Sequence, residues 1–124
     1  KNFSLLYSGK APVLAPSYDT LSTAAYPTMT QKMAMKIGSN YKFSEVQARH
    51  WEQFAESVGL TKAQAKRRIL ELAKLLPANA RKLQFAPERG FVKNDVVEQI
   101  STLIEHRCAL TIRRLNVPAT ESSV

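Results

Sequence analysis

The chain has 124 residues, with 18 Lys and Arg against 10 Asp and Glu, a formal net charge of +8 and a pI near 9.9. An apolar fraction of 44% is enough for a core and excludes wholesale disorder. No apolar run approaches the ~18–20 residues of a membrane span, and no charged start leads into a long apolar secretory stretch.

Cys108 is the only cysteine, which excludes an internal disulfide and a cysteine-rich zinc site and fits a reducing cytoplasm, the expected compartment. The basic balance implies attraction to nucleic acid, an acidic protein or nucleotide phosphates, or else it is one share of a larger protein's charge.

The chain opens KNFSLLYSGKAPVLAPSYD. Apolar Phe3, Leu5 and Leu6 lead into Tyr7, Ser8-Gly9-Lys10 supplies turn chemistry, and Val13 and Leu14 start a second extended run, which predicts a β-hairpin. Folding back near Gly9 and Lys10 brings residue 2 opposite residues 17 to 18, so Asn2 and Asp19 are expected at one open end. An amide oxygen and a carboxylate together suit a hard cation such as Mg²⁺. The same residue types also form turns and caps, and Ser17-Tyr18-Asp19-Thr20 could simply end a strand.

Residues 20 to 31, with Pro27 in the middle, read as an irregular connection. Lys32 to Ile37 alternates apolar and basic residues, predicting a short strand or extended segment with Met33, Met35 and Ile37 on one side, closed by a turn at Gly38-Ser39-Asn40. From there the chain is predicted helical. Ser44-Glu45-Val46-Gln47 has the capping-box pattern, followed by Val46, His50, Trp51, Phe54, Ala55 and Val58 at helical spacing, with Gly59 as the left-handed stop.

Thr61-Lys62-Ala63-Gln64 opens a second helix with a buried stripe of Ala65, Ile69, Leu72, Ala73 and Leu76; Pro77 is expected to stop or kink it before it resumes from Asn79 to Phe85. Asp95 is the expected cap of a last helix striped with Val97, Ile100, Leu103, Ile104, Cys108 and Ile112, with Arg113 and Arg114 at its dipole-favoured end. Residues 116 to 124 read as a frayed tail.

Lys66, Arg67 and Arg68, with Lys62 and Lys74, form a basic face opposite the apolar stripe of the second helix: a solvated face by default, a contact for phosphates or an acidic partner otherwise. His50 falls on an apolar face and reads as a hydrogen-bonded core histidine, Trp51 as a packing anchor and Cys108 as an inert core thiol. His106 has no second ligand at metal spacing, and Ser4, Ser8 and Ser17 lack a nucleophile-elbow context.

KNFSLLY, LAPSYDTLST and KMAMKIGSNYKFSEVQARHW together resemble the C-terminal part of HipA-family toxins, the serine/threonine kinases of bacterial toxin–antitoxin modules, from residue 1 to about residue 110. Those kinases carry a catalytic-loop segment D-x-H-x-K-N-F-S and a later A-P-x-Y-D segment whose Asn and Asp hold nucleotide-bound magnesium. The resemblance puts these ligands at Asn2 and Asp19. The family's catalytic Asp would fall five residues before Asn2, ahead of Lys1, and the phosphate-covering loop and the N-terminal lobe would also precede it.

The resemblance implies a mainly α fold with a short N-terminal β-hairpin, the helical C-terminal portion of a protein-kinase-like architecture. Residues 1–31 would be the metal-ligand hairpin and its connection, and 32–124 a helical subdomain. The intact enzyme would phosphorylate a protein Ser or Thr, such as in an aminoacyl-tRNA synthetase, using Mg-ATP. Its implied partners are the remainder of the kinase chain, a DNA-binding antitoxin and, through it, operator DNA.

The chain alone is expected to bind neither ATP nor magnesium tightly, to be inactive, and to self-associate weakly through apolar surface. The rival reading is a non-enzymatic basic helical module that binds DNA or an antitoxin protein, in which Lys62, Lys66, Arg67 and Arg68 contact the partner.

Overall fold

The computed structural model describes residues 3–7, 9, 11–16 and 22–117. In chain order, β1 (Leu5–Leu6) pairs antiparallel with β2 (Val13–Leu14), a single 3₁₀ turn spans Thr23–Ala25, and β3 (Lys32–Ile37) pairs antiparallel with β4 (Asn40–Lys42). A 3₁₀ turn at Phe43–Glu45 leads to α1 (Ala48–Ser57), then α2 (Lys62–Gln84), a 3₁₀ turn at Pro87–Arg89, and α3 (Asp95–Leu115). The expected mainly α architecture with a hairpin at its start is therefore observed, with a second hairpin that was not foreseen.

That second hairpin exists because Gly38-Ser39 is a two-residue turn rather than the end of an extended segment, with Gly38 at φ +60° and Ile37 opposite Asn40. The pairing shifts register between its two ends, so Met35 does not share the half-buried side of Met33 and Ile37 and is 81% exposed. The turn tip presses on α1: a β-carbon on Gly38 would lie 2.6 Å from the His50 carbonyl oxygen.

α1 starts later than the Ser44 capping pattern predicts. Residues 43–45 form a tighter turn, Gln47 is the N-cap, and the backbone N–H of Gln47 donates to His50 Nδ1 at 2.8 Å. The cause lies on α3, where Arg114 donates to the carbonyls of Val46 at 2.6 Å and Ser44 at 2.8 Å and so holds them away from a helical ladder. The helix stops as expected: Gly59 has φ +78°, its N–H donates to the Glu56 carbonyl, and Leu60 N–H donates to that of Ala55.

Thr61 and Gln64 form the predicted reciprocal cap of α2, at 3.0 and 3.1 Å. Pro77 does not end this helix, which runs unbroken to Gln84. Proline removes one ladder bond and crowds the carbonyl four residues back, at about 3 kcal/mol; packing along the antiparallel α3 on both sides of that point offsets it.

α3 is capped by Asn94, not Asp95: Asn94 Oδ1 accepts from the Val97 N–H at 3.1 Å, which leaves Asp95 as a first-turn carboxylate near the positive end of the helix dipole.

The helices meet through small side chains. Ala55, Ala65, Ala73, Ser101, Cys108 and Thr111 are buried there, with His50, Gln84 and Leu115 the larger buried side chains of the helices, whereas Leu72 and Leu76, expected inside, are exposed. Small residues let the backbones approach closely and push the large aliphatics to the rim. Gln84 is 1% exposed and sits in a network: Arg81 donates to Gln84, Glu98, Thr102 and Glu105, and Gln84 Nε2 donates to Glu98 Oε2 at 2.6 Å. Glu98 is held below the usual carboxylate range by the Gln84 amide and then by Arg81.

Candidate functional site

The part of the first hairpin that is described has the pairing the metal-site expectation requires. Leu5 lies opposite Leu14, Leu6 opposite Val13, and Ala15 N–H donates to the Ser4 carbonyl at 2.8 Å. The strand that follows Asn2 in sequence thus runs antiparallel to the strand that precedes Asp19. Asn2 and Asp19 themselves, with Lys1, Ser8 and Ser17, lie outside the described residues. Among the described residues no group of three or more His, Cys, Asp or Glu is placed to hold a metal ion.

The hairpin is bare. Phe3, Leu5, Leu6, Tyr7, Val13 and Leu14 all expose large apolar side chains. A two-stranded hairpin is marginal in water on its own.

The basic residues of α2 do not make one continuous free face. Lys62 Nζ lies 3.6 Å from Glu52, and Arg68 Nη1 lies 3.1 Å from Glu71. Arg68 also lines an apolar groove, so it is not opposite the apolar stripe as the helical spacing suggests. Lys66 and Arg67 are exposed and form no ion pair among the described residues.

His50 is the hydrogen-bonded core histidine that its position on the apolar face predicts. It is 4% exposed, and burial first, then Arg49 and Arg114, push its pKa below the ordinary ~6.5. The imidazole is neutral, because Nδ1 must stay unprotonated to accept from Gln47. The folded state then binds a proton less readily than the unfolded chain, so stability is full above pH ~6.5 and declines as pH falls from there. A lower urea midpoint at pH 5.5 than at pH 7.5 is expected, and His50→Gln should remove most of that difference.

Trp51 packs edge-on against Phe54 with centroids 6.0 Å apart, in the anchoring role expected of it. Cys108 is buried, and burial pushes its thiol pKa up, away from reactivity.

An apolar groove of about 500 Å³ runs between the three helices, lined by Phe43, Trp51, Phe54, Leu72, Leu76 and Ile104 among others. No described helix is long and apolar enough to cross a membrane. Sequence reading missed the Arg81 network and the Arg114 clamp. The first had a signal, since Glu98, Thr102 and Glu105 recur at helical spacing on one face of α3. The second joins residues about seventy apart and had none.

A family model described as the HipA-like C-terminal domain matches residues 1–80. A protein of Sinorhizobium fredii (strain NBRC 101917 / NGR234) named "Putative kinase Y4mE" is 46% identical over 72 residues, which is 58% of this chain and 17% of that protein. A chain in the solved structure of the Shewanella oneidensis MR-1 toxin–antitoxin system HipA, HipB and its operator DNA is similar in fold, with a TM-score of 0.72 and 21% identity over 96% of this chain and 29% of that one.

The chain thus spans less than a third of either protein's length. The family model covers β1 to β4, α1 and most of α2, and the structural likeness continues through α3. The chain belongs to the HipA-like C-terminal domain family.

Proposed function

We propose that this chain supplies the C-terminal part of a HipA-like serine/threonine-protein kinase, with Asn2 and Asp19 as ligands of nucleotide-bound magnesium. The observation that carries the reading is the antiparallel pairing of β1 with β2, the segments that follow the KN motif and precede the YD motif, in a chain of this family. The donor set fits the ion: an amide oxygen and a carboxylate are the hard oxygen ligands that Mg²⁺ takes while keeping phosphate in its shell. Bound there, magnesium would neutralise charge on the phosphates of ATP. The exposed apolar side chains of the hairpin and of the groove are then the surfaces on which the remainder of the kinase packs.

The intact protein would transfer the γ-phosphoryl group to a protein Ser or Thr, with aminoacyl-tRNA synthetases as the substrate class and an antitoxin protein as partner. The name of the Sinorhizobium relative and the assembly named for the Shewanella structure support this reading. Phosphoryl transfer depends on positioning and charge stabilisation from both lobes, so the 124-residue chain alone is expected to show no transfer and only weak Mg-ATP binding. Tight binding of Mg-ATP by the chain in calorimetry would overturn that expectation. The open reading frame upstream of Lys1 should encode D-x-H-x directly before it, which puts the Asp five residues before Asn2.

A second reading has its own observation. Lys66 and Arg67 stand free of ion pairs among the described residues, as a surface for DNA phosphates or an acidic antitoxin requires. It does not account for the paired KNFS and YD segments.

A further inference from the structure

Away from the first hairpin, Lys32 and Arg107 line a polar cavity of about 230 Å³ between the 22–24 segment, the start of β3 and the middle of α3. Ser22, Thr23 and Thr30 contribute hydroxyls to the same cavity. At ~30 Å³ per water, it has room for about seven waters, or for a small oxyanion with part of its hydration shell.

Arg107 is held as a binding arginine would be. It also lines the apolar groove, and its Cζ lies 4.7 Å from the centroid of the Phe43 ring. Stacking on a ring fixes the guanidinium plane and uses none of its N–H donors. The other half-buried arginines are engaged within the fold: Arg81 donates to four side-chain acceptors and Arg114 to two carbonyls.

Among the described residues, neither Arg107 nor Lys32 pairs with a carboxylate, and neither charged end makes a hydrogen bond. Burial lowers the Arg107 pKa, and no described carboxylate stands beside it as a salt-bridge partner.

Two further features agree. Lys32 lies directly across the ladder from Lys42, and like charges at opposed positions destabilise a hairpin unless an anion neutralises them. Thr30 Oγ1 accepts from the Lys32 N–H at 3.2 Å, which leaves its own proton to donate elsewhere.

We propose that Lys32 and Arg107, with the hydroxyls of Thr23 and Thr30, form a binding site for a phosphoryl group. A carboxylate would be satisfied by the arginine fork alone. Two cations and hydroxyl donors on different sides of one cavity match the several oxygens and double charge of a phosphate. The phosphoryl group is either free inorganic phosphate or a phosphate monoester such as phosphoserine. None of these residues belongs to the Asn2 and Asp19 pair, so the site stands or falls independently of the kinase reading.

The test is amide-resolved NMR of the 124-residue chain titrated with sodium phosphate at constant ionic strength in NaCl. Saturable shifts confined to Thr23, Thr30, Lys32 and the Arg107 side chain are expected. Lys32→Gln and Arg107→Gln should each weaken binding about tenfold or more, the worth of a charge-assisted hydrogen bond. Lys93→Gln, at an exposed lysine away from the cavity, should leave it unchanged.

O-phosphoserine binding more tightly than inorganic phosphate would identify a monoester as the ligand, and equal or weaker binding would identify the free ion. Shifts spread over all Lys and Arg residues, or wild-type affinity in Lys32→Gln, would overturn the site. If Arg107→Gln does not fold, the exposed Lys32 carries the test.

Discussion

Gly38→Val is expected to destabilise the folded chain by about 3 kcal/mol or more. Two costs add. An L-residue at φ +60° meets its own carbonyl, at about 1–2 kcal/mol. A β-carbon there would also sit 2.6 Å from the His50 carbonyl oxygen and 2.9 Å from His50 Cα, both backbone atoms of α1 that cannot turn aside. Overpacking of that kind costs about 1–3 kcal/mol.

Gly59 provides the internal control. It has φ +78° but open space where its β-carbon would lie, so Gly59→Val should pay the conformational cost alone. Urea midpoints for the two variants separate the terms. Equal losses would show that the contact between the hairpin and α1 contributes nothing.

What was legible in the sequence was whatever short-range chemistry decides. The Thr61 and Gln64 cap, the Gly59 stop and the pairing of the first two strands rest on residues within a few positions of one another, and each was found where its pattern lay. The misses share a different cause. Ser44 carries a sound capping pattern, yet α1 starts at Ala48 because Arg114, on another helix, holds the Ser44 and Val46 carbonyls.

Pro77 reads locally as a break and is carried through by α3. Leu72 and Leu76 fit an apolar stripe, but the close contacts went to alanine, serine and cysteine, leaving the leucines along an open groove. Of the candidate site, sequence motifs supplied Asn2 and Asp19, and the described strands supply the pairing between their segments. The Lys32 and Arg107 cavity was invisible in sequence because it joins residues seventy-five apart through a loop with no periodicity.

In the full-length protein, the proposed magnesium role of Asp19 makes Asp19→Ala lower phosphoryl transfer by about 10³-fold or more. A metal ion stabilises several kcal/mol of charge in the transition state, and each 1.36 kcal/mol is a factor of ten. Asn2→Ala should act in the same direction. Asp19→Asn keeps the side-chain volume and an oxygen but removes the charge, so an equally large loss there would assign the effect to the carboxylate's charge. A thermal midpoint equal to the wild type's in each variant would place the loss in transfer and not in folding.

We propose that this family domain carries part of a magnesium-dependent kinase site. Its most direct test is transfer of labelled γ-phosphate from ATP to protein Ser or Thr by the full-length protein and by its Asp19→Ala variant, over a Mg²⁺ titration. Transfer by the wild type should saturate with Mg²⁺ and be lost in the variant. Transfer by the variant at the wild-type rate and the wild-type Mg²⁺ dependence would contradict it.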